Sequence, residues 1–295
     1  MKRILALIAF VFLFPLSAPL MAAPFLHVTV SILPQAYFVH QIAGDLAKVS
    51  VMVLPGAGPA TYEPKPDQMV ALSSSQLYFA IGVPFETVWL PKIQAANPAM
   101  RVIRTQEGIA KIPMAHHLHG HASTSSQQPH GQEILDPHIW LDPSLVKIQA
   151  QHIKDALCAA DPAHAPVFIQ KYDHFIVSLD HLDQQISSLL GPDAPGKHFV
   201  VFHPAWGYFA RAYRLIQLPV EIEGKSPSPR ELAALIDRAR ARKITTIFAQ
   251  PQFSRQSASV VARGIQGSVV RLDPLAPDWA ANLLATARII KGALR

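Results

Sequence analysis

The 295-residue chain has a single cysteine, Cys158. One thiol cannot close an intrachain disulfide, so a disulfide framework and a cysteine-built zinc knuckle are both excluded. Charge is sparse as well: 16% of residues are Asp, Glu, Lys or Arg, below the ~25% usual in soluble domains. The formal net charge is +6, but no dense Lys/Arg run occurs, which argues against nucleic acid as a partner. Beyond the N-terminal region no 18 apolar residues run uninterrupted, so no later membrane-spanning helix is expected. Apolar residues, by contrast, make up 50% of the chain. That content excludes disorder and is ample for a core shared over roughly two domains. Histidine is unevenly spread: six of the 14 lie between His116 and His138.

Residues 1–23 read as a secretory signal peptide. Lys2 and Arg3 form its basic start, Ile4 to Leu16 its apolar core, and Met21-Ala22-Ala23 its small-residue exit, with cleavage expected near Ala22 or Ala23. No cysteine lies near that point, so lipidation there is not expected. The mature chain is expected to be exported, and with one thiol its stability must come from packing.

Downstream, strands and helices alternate. Strands are predicted at Leu26–Ile32, Val49–Leu54, Leu77–Ile81 and Arg101–Ile103, with helices at Pro34–Ile42, Pro66–Ser73 and Pro84–Ala96. From Ala115 to Gln132 the composition turns to His, Ser, Gln and Gly, predicting a low-complexity flexible loop. Asp142-Pro143 is a helix start, an N-cap followed by proline, for a helix to about Ala159. Asp161-Pro162 repeats the device and opens a long helix to Leu190. Its Phe168, Tyr172, Phe175, Leu179, Leu182, Ile186 and Leu189 share one face. Strands then recur at Lys197–Phe202, Leu218–Ile222, Ile244–Ala249 and Ser268–Leu272. Helices recur at Pro204–Tyr213, Pro229–Arg242, Ser254–Arg263 and Pro277–Leu294. The pattern predicts an α/β protein of two lobes with parallel-type sheets: residues 24–160, with the His-rich loop at 115–132, and residues 192–295, joined by one long rigid helix over 161–191.

Three residues stand where such sheets bind ligands, beyond strand carboxyl ends or beside them. His138 lies in Asp136-Pro137-His138-Ile139-Trp140, shielded by apolar neighbours, which favours the neutral, metal-binding imidazole. His203 follows Lys197–Phe202, and Asp273 follows Ser268–Leu272. Two histidines and a carboxylate are a zinc-type ligand set. Taken singly, His138 also reads as a core histidine bonded to Asp136 or Asp142, and Asp273 as the cap of the turn after it. Spacing alone leaves both readings open.

The order of several stretches adds to this. They are Ser31-Ile32-Leu33-Pro34, Leu54-Pro55-Gly56, Tyr62-Glu63-Pro64, Asp136–Pro143, Phe202-His203 with Gly207-Tyr208-Phe209-Ala210, Ile247–Phe253, and Leu272-Asp273-Pro274-Leu275. In these the chain resembles, from Val28 almost to its end, the zinc- and manganese-binding solute-binding proteins of bacterial ABC transporters. The resemblance implies a periplasmic monomer with two lobes on a rigid helix and one metal in the cleft between them. It implies capture of a divalent metal for a cognate ABC permease and its ATPase, and metal ligands at His138, His203 and Asp273. One ligand does not carry over, because Ala60 stands where the family has histidine before Tyr62-Glu63-Pro64. Gln250 likewise replaces a family acidic position. Water, Glu63, or a histidine of the 116–130 loop is left to complete the coordination.

The loop's His116, His117, His119, His121 and His130 form an accessory metal-capturing tract on this reading, since tethered donors raise the effective ligand concentration. A histidine tract favours zinc, with copper and nickel less so, over manganese, which prefers oxygen donors. The rival readings are an exported zinc-dependent hydrolase with a three-ligand open site and a metal-binding adhesin-like surface protein. No nucleophile elbow, His-Glu-x-x-His helix or phosphate loop occurs, so no enzyme is expected.

Overall fold

The structure, a computed structural model, describes residues 25–115, 134–221, 228–253 and 255–294. Residues 1–23, expected to be a signal peptide, and the histidines at 116–130 lie outside the described residues.

The first sheet holds β1 (Leu26–Val30), β2 (Ala47–Val51), β3 (Leu77–Ala80) and β4 (Arg101–Arg104) in the order β2-β1-β3-β4. The second holds β5 (His198–Val201), β6 (Ile216–Pro219), β7 (Thr246–Ala249) and β8 (Ser268–Arg271) in the order β6-β5-β7-β8. Every pairing is parallel. The same winding thus occurs twice, and in each sheet the order reverses beside the first strand. Strands of such sheets are buried on both faces, and Leu77-Tyr78-Phe79-Ala80 is apolar and buried at every position.

The first lobe's helices are α1 (Leu33–Ala43), α2 (Pro66–Leu72), α3 (Pro84–Ala96) and α4 (Pro143–Ala160). The Asp142-Pro143 start of α4 is as the sequence predicts, with the Asp142 carboxylate accepting from Ser144 N at 2.8 Å. The second start differs. Asp161-Pro162 opens a 3-10 turn, Pro162–His164, and the long helix α5 begins only at Ala165 and runs to Leu190. The reason is that the Asp161 carboxylate is taken by His164 Nδ1 at 2.5 Å instead of by a backbone N–H. Gly191, at φ 77°, ends α5 in a conformation that favours glycine.

At 26 residues, α5 spans ~39 Å at 1.5 Å per residue. It is a packed spine: α1 and α4 lie against it, as does α9 (Trp279–Ala293) at the end of the second lobe. Phe168, Phe175, Leu179, Leu182 and Ile186 are buried, while Leu190 takes the buried place expected of Leu189. The rest of the second lobe is α6 (Gly207–Ala212), α7 (Pro229–Ala241) and α8 (Arg255–Gly264). The predicted helix at Pro204–Tyr213 shortens to α6.

One core runs from the first sheet through α5 into Phe199, Val201, Phe248 and the buried face of α9. A smaller core lies under α7 and α8 around Val200, Leu235, Ile247 and Val261. Trp279 ties the lobes together. Its ring meets Phe38 edge-on at 5.1 Å, and its indole N–H donates to the Trp140 carbonyl at 2.7 Å. Trp140 in turn donates to the Pro274 carbonyl at 2.7 Å.

Trp279→Ala should therefore cost about 3–5 kcal/mol in denaturant unfolding. Trp279→Phe, which keeps a ring but leaves the buried Trp140 carbonyl unpaired, should cost about 1–3 kcal/mol. Equal stability of both variants with the parent would deny the tryptophan its linking role.

Candidate metal centre

The cleft between the lobes is built from strand ends. β5 runs into Phe202-His203, beside the point where the second sheet reverses its order. Across the cleft, Asp136-Pro137-His138 leads into a 3-10 turn, Ile139–Leu141, whose three residues are buried. The two imidazole centroids lie 5.2 Å apart at 71°, and both rings line a cavity of ≈ 210 Å³.

Each ring is held at Nδ1 by a buried carboxylate. Asp136 Oδ1 lies 2.7 Å from His138 Nδ1 and also accepts the His138 backbone N–H at 2.9 Å. Glu221 Oε2 lies 2.9 Å from His203 Nδ1. Because a carboxylate accepts, the proton is assigned to Nδ1 and the lone pair to Nε2. This is the arrangement that fixes tautomer and orientation in histidines that bind metals. His203 has its pKa lowered, first by burial, against the raising effect of Glu221. The neutral ring, the one able to bind a metal, is favoured.

The local chain explains these placements. β6 ends at Pro219, short of the predicted Ile222; it is the edge strand of its sheet, where a proline without an N–H is tolerated. Val220 and Glu221 nevertheless keep bonding along β5, to Val201 O at 2.8 Å and Phe202 O at 2.9 Å, which sets Glu221 beside His203. Gln250, at the end of β7, holds the His203 main chain from both sides: Nε2 donates to His203 O at 2.8 Å and Oε1 accepts from His203 N at 3.3 Å. A glutamate could accept but not donate, so the glutamine is a brace for His203. Phe253 stacks on the His203 ring at 4.9 Å and 22°. Behind His138, Asp136 is fully buried, and the Tyr208 hydroxyl donates to its carbonyl at 2.9 Å. Its Oδ2 has no hydrogen-bond partner among the described residues.

Asp273, the third residue singled out by the sequence, is used otherwise here. Its Oδ1 accepts from Leu275 N at 3.0 Å, capping its own turn, and from Gln252 Nε2 at 3.2 Å. Among the described residues no group of three or more His, Cys, Asp or Glu side chains is arranged for a metal ion. The histidines thus come together, and Asp273 stays at the rim beside the lining residues Gln252, Pro274 and Leu275. Ala60 lines the cavity, while Glu63 is exposed and does not. Tyr62, between them, is buried against Phe85 and donates to Gln68 at 2.7 Å, so this turn is anchored by its tyrosine. Glu221 is the residue that sequence reasoning missed. The signal available was an acidic side chain just past a strand neighbouring the one that leads to His203.

Two parallel α/β lobes on a helical spine, with paired histidines at strand ends in the cleft, define a two-lobed solute-binding protein. A family model described as zinc-uptake complex component A, periplasmic, matches residues 28–293, and the chain belongs to this family. A crystal structure titled as that of ZnuA is 42% identical, with a TM-score of 0.83, over 92% of this chain and 99% of that one. The high-affinity zinc uptake system protein ZnuA of Yersinia pestis is 27% identical over 282 residues, 88% of this chain and 87% of its own length. The periplasmic zinc binding protein TroA of Treponema pallidum, at 20% identity, shares the fold with a TM-score of 0.78.

Gly207 generates the prediction of this section. A Cβ there would sit 2.6 Å from Asp136 Oδ2, and Asp136 cannot retreat while it holds both His138 contacts. Gly207→Ala should lower stability by about 1–3 kcal/mol and alter the His138 imidazole resonances in NMR. Unchanged resonances would show that the glycine is not needed for this contact.

Proposed function

We propose that this chain captures a divalent transition metal, zinc before copper, nickel or manganese, in the interlobe cleft and delivers it to an ABC permease and its ATPase. It does so as an exported, periplasmic monomer with no catalytic step. One observation carries the reading: two imidazoles 5.2 Å apart, each with Nδ1 on a buried carboxylate, facing one cavity. Family membership and the zinc-uptake names of the relatives support it. Among the described residues no helix is long and apolar enough to cross a membrane, which agrees with a chain that works with a separate permease.

His138 and His203 anchor the ion through Nε2. Asp273 joins them by exchanging its Gln252 contact for the metal. Capture of this kind needs different affinities in two arrangements. With α5 packed from both lobes and Trp279 bridging them, release comes from local displacement of the strand-end loops, not from a wide hinge.

The His-rich tract has its ends at the same place. Pro113 and Leu135 form an antiparallel bridge, Met114 N donates to Ile134 O at 2.8 Å, and Met114 and Ile134 line the cleft. That the flanks of the tract line the cleft supports reading His116, His117, His119, His121 and His130 as an accessory binding tract.

Calorimetric titration with zinc tests the cleft. His138→Ala and His203→Ala should weaken binding sharply, and Glu221→Gln by about 10–100-fold. Parental affinity in both alanine variants would exclude the cleft as the site. Deleting residues 116–130 should reduce the zinc ions bound per chain while leaving the cleft ion in place. An unchanged stoichiometry would make the tract a connector only.

A further inference from the structure

Two segments of the first lobe pair beside the cleft. Pro113 bridges Leu135 in the antiparallel sense, Met114 N donates to Ile134 O at 2.8 Å, and Asp136 N donates to Ile112 O at 2.8 Å. Ile112 and Asp136 are thus opposite each other at a hydrogen-bonded site, where antiparallel residues ordinarily exchange two bonds. The second bond of this pair would run from Ile112 N to Asp136 O. The Tyr208 hydroxyl stands in its place: it accepts from Ile112 N at 3.2 Å and donates to Asp136 O at 2.9 Å.

That hydroxyl comes from the other lobe. Tyr208 is fully buried on α6, and burial pushes its phenol up to about 12, so the donating O–H is kept across the ordinary pH range. A phenylalanine would fill the same space and leave both backbone groups without the bridge. α6 meets the neighbouring chain at two further points. A Cβ on Gly207 would sit 2.6 Å from Asp136 Oδ2, and the Arg211 guanidinium lies 5.1 Å from the Tyr208 ring centroid and 4.0 Å from Asp142 Oδ2. Asp136 and Asp142 bracket the stretch that carries His138.

His203 stands just ahead of α6 on the same segment. A contact from α6 to Asp136 therefore links the two imidazoles, because the Asp136 carboxylate holds His138 Nδ1 at 2.7 Å. A direct N–H···O bond spans ~2.9 Å, shorter than the two-bond route through the tyrosine oxygen. Once the hydroxyl withdraws, Ile112 N–H and the Asp136 carbonyl close on each other, and the carboxylate moves with its main chain.

We propose that Tyr208 is a positioning residue of the metal site: its hydroxyl, inserted between Ile112 and Asp136, keeps Asp136 where it fixes His138, so that moving α6 away lowers the affinity of the cleft for its ion. On the metal reading proposed above, this is the contact that breaks when the strand-end loops are displaced for release.

Tyr208→Phe in the full chain removes the oxygen and keeps the ring. Calorimetric titration should show zinc binding weakened about tenfold, the lower end of what residues behind a metal ligand contribute. In the metal-free variant the His138 Nδ1–H resonance should shift in NMR while that of His203 stays. A tyrosine that only stabilised the fold would lower the melting temperature and move neither. The reciprocal effect is read on the parent chain: if the inserted hydroxyl favours binding, zinc favours the insertion and should slow hydrogen exchange of the Ile112 amide several-fold. Parental zinc affinity with an unmoved His138 resonance, or Ile112 exchange indifferent to zinc, would overturn the proposal. Zinc binding indifferent to His138→Ala and His203→Ala would instead overturn the metal site, and the affinity claim with it, while the metal-free resonance shift would still mark the Tyr208 contact.

Discussion

The hydrogen bond from the Trp279 indole to the Trp140 carbonyl is the contact on which the rest of the site depends. Trp140 stands two residues after His138, and its own indole holds the carbonyl of Pro274, one residue after Asp273. The two bonds join the stretch carrying one imidazole to the stretch that closes the cleft from the other lobe. Both are buried, so neither competes with water, and breaking one leaves a carbonyl without a partner where the cost is highest. The α5 spine would hold the lobes near each other without them. The distance between strand ends, and so the 5.2 Å spacing of the histidine rings, needs this finer tie.

Within that frame each histidine is positioned by a different device. His138 is held locally: Asp136, two residues earlier, takes both its backbone N–H and its Nδ1. His203 is held by long-range contacts, with Glu221 from beyond β6, Gln250 from the end of β7, and Phe253 stacked on the ring. Pre-set side chains of this kind lose little freedom on binding. The depressed pKa of His203 follows from the same packing, since burial disfavours the charged ring more than Glu221 favours it.

Much of this was legible in the sequence, and the failures have physical reasons. Alternating strands and helices gave two parallel sheets because parallel strands are near-continuous apolar runs and so easy to find. His138 and His203 were visible because proline and strand ends mark their positions. Glu221 was not, because its role depends on which strands are neighbours: β6 lies beside β5 only in the folded order β6-β5-β7-β8. The start of α5 was misread at Asp161 because a capping aspartate and one bonded to a histidine three residues on look alike in sequence. Gln250 read as a lost acidic group. Only its two bonds to the main chain of His203 reveal that the amide does what a carboxylate cannot.

Ala60 and Gln250 also belong together. Both replace side chains that the family resemblance would have ionic or metal-binding, and both leave the cleft less polar. Gln250 turns its polar atoms inward to the His203 backbone, and Ala60 presents a methyl group. What faces the cavity is then two imidazole rings, with their carboxylate partners behind them. The two positions thus act in one direction, leaving the binding chemistry of the described lining to the paired imidazoles.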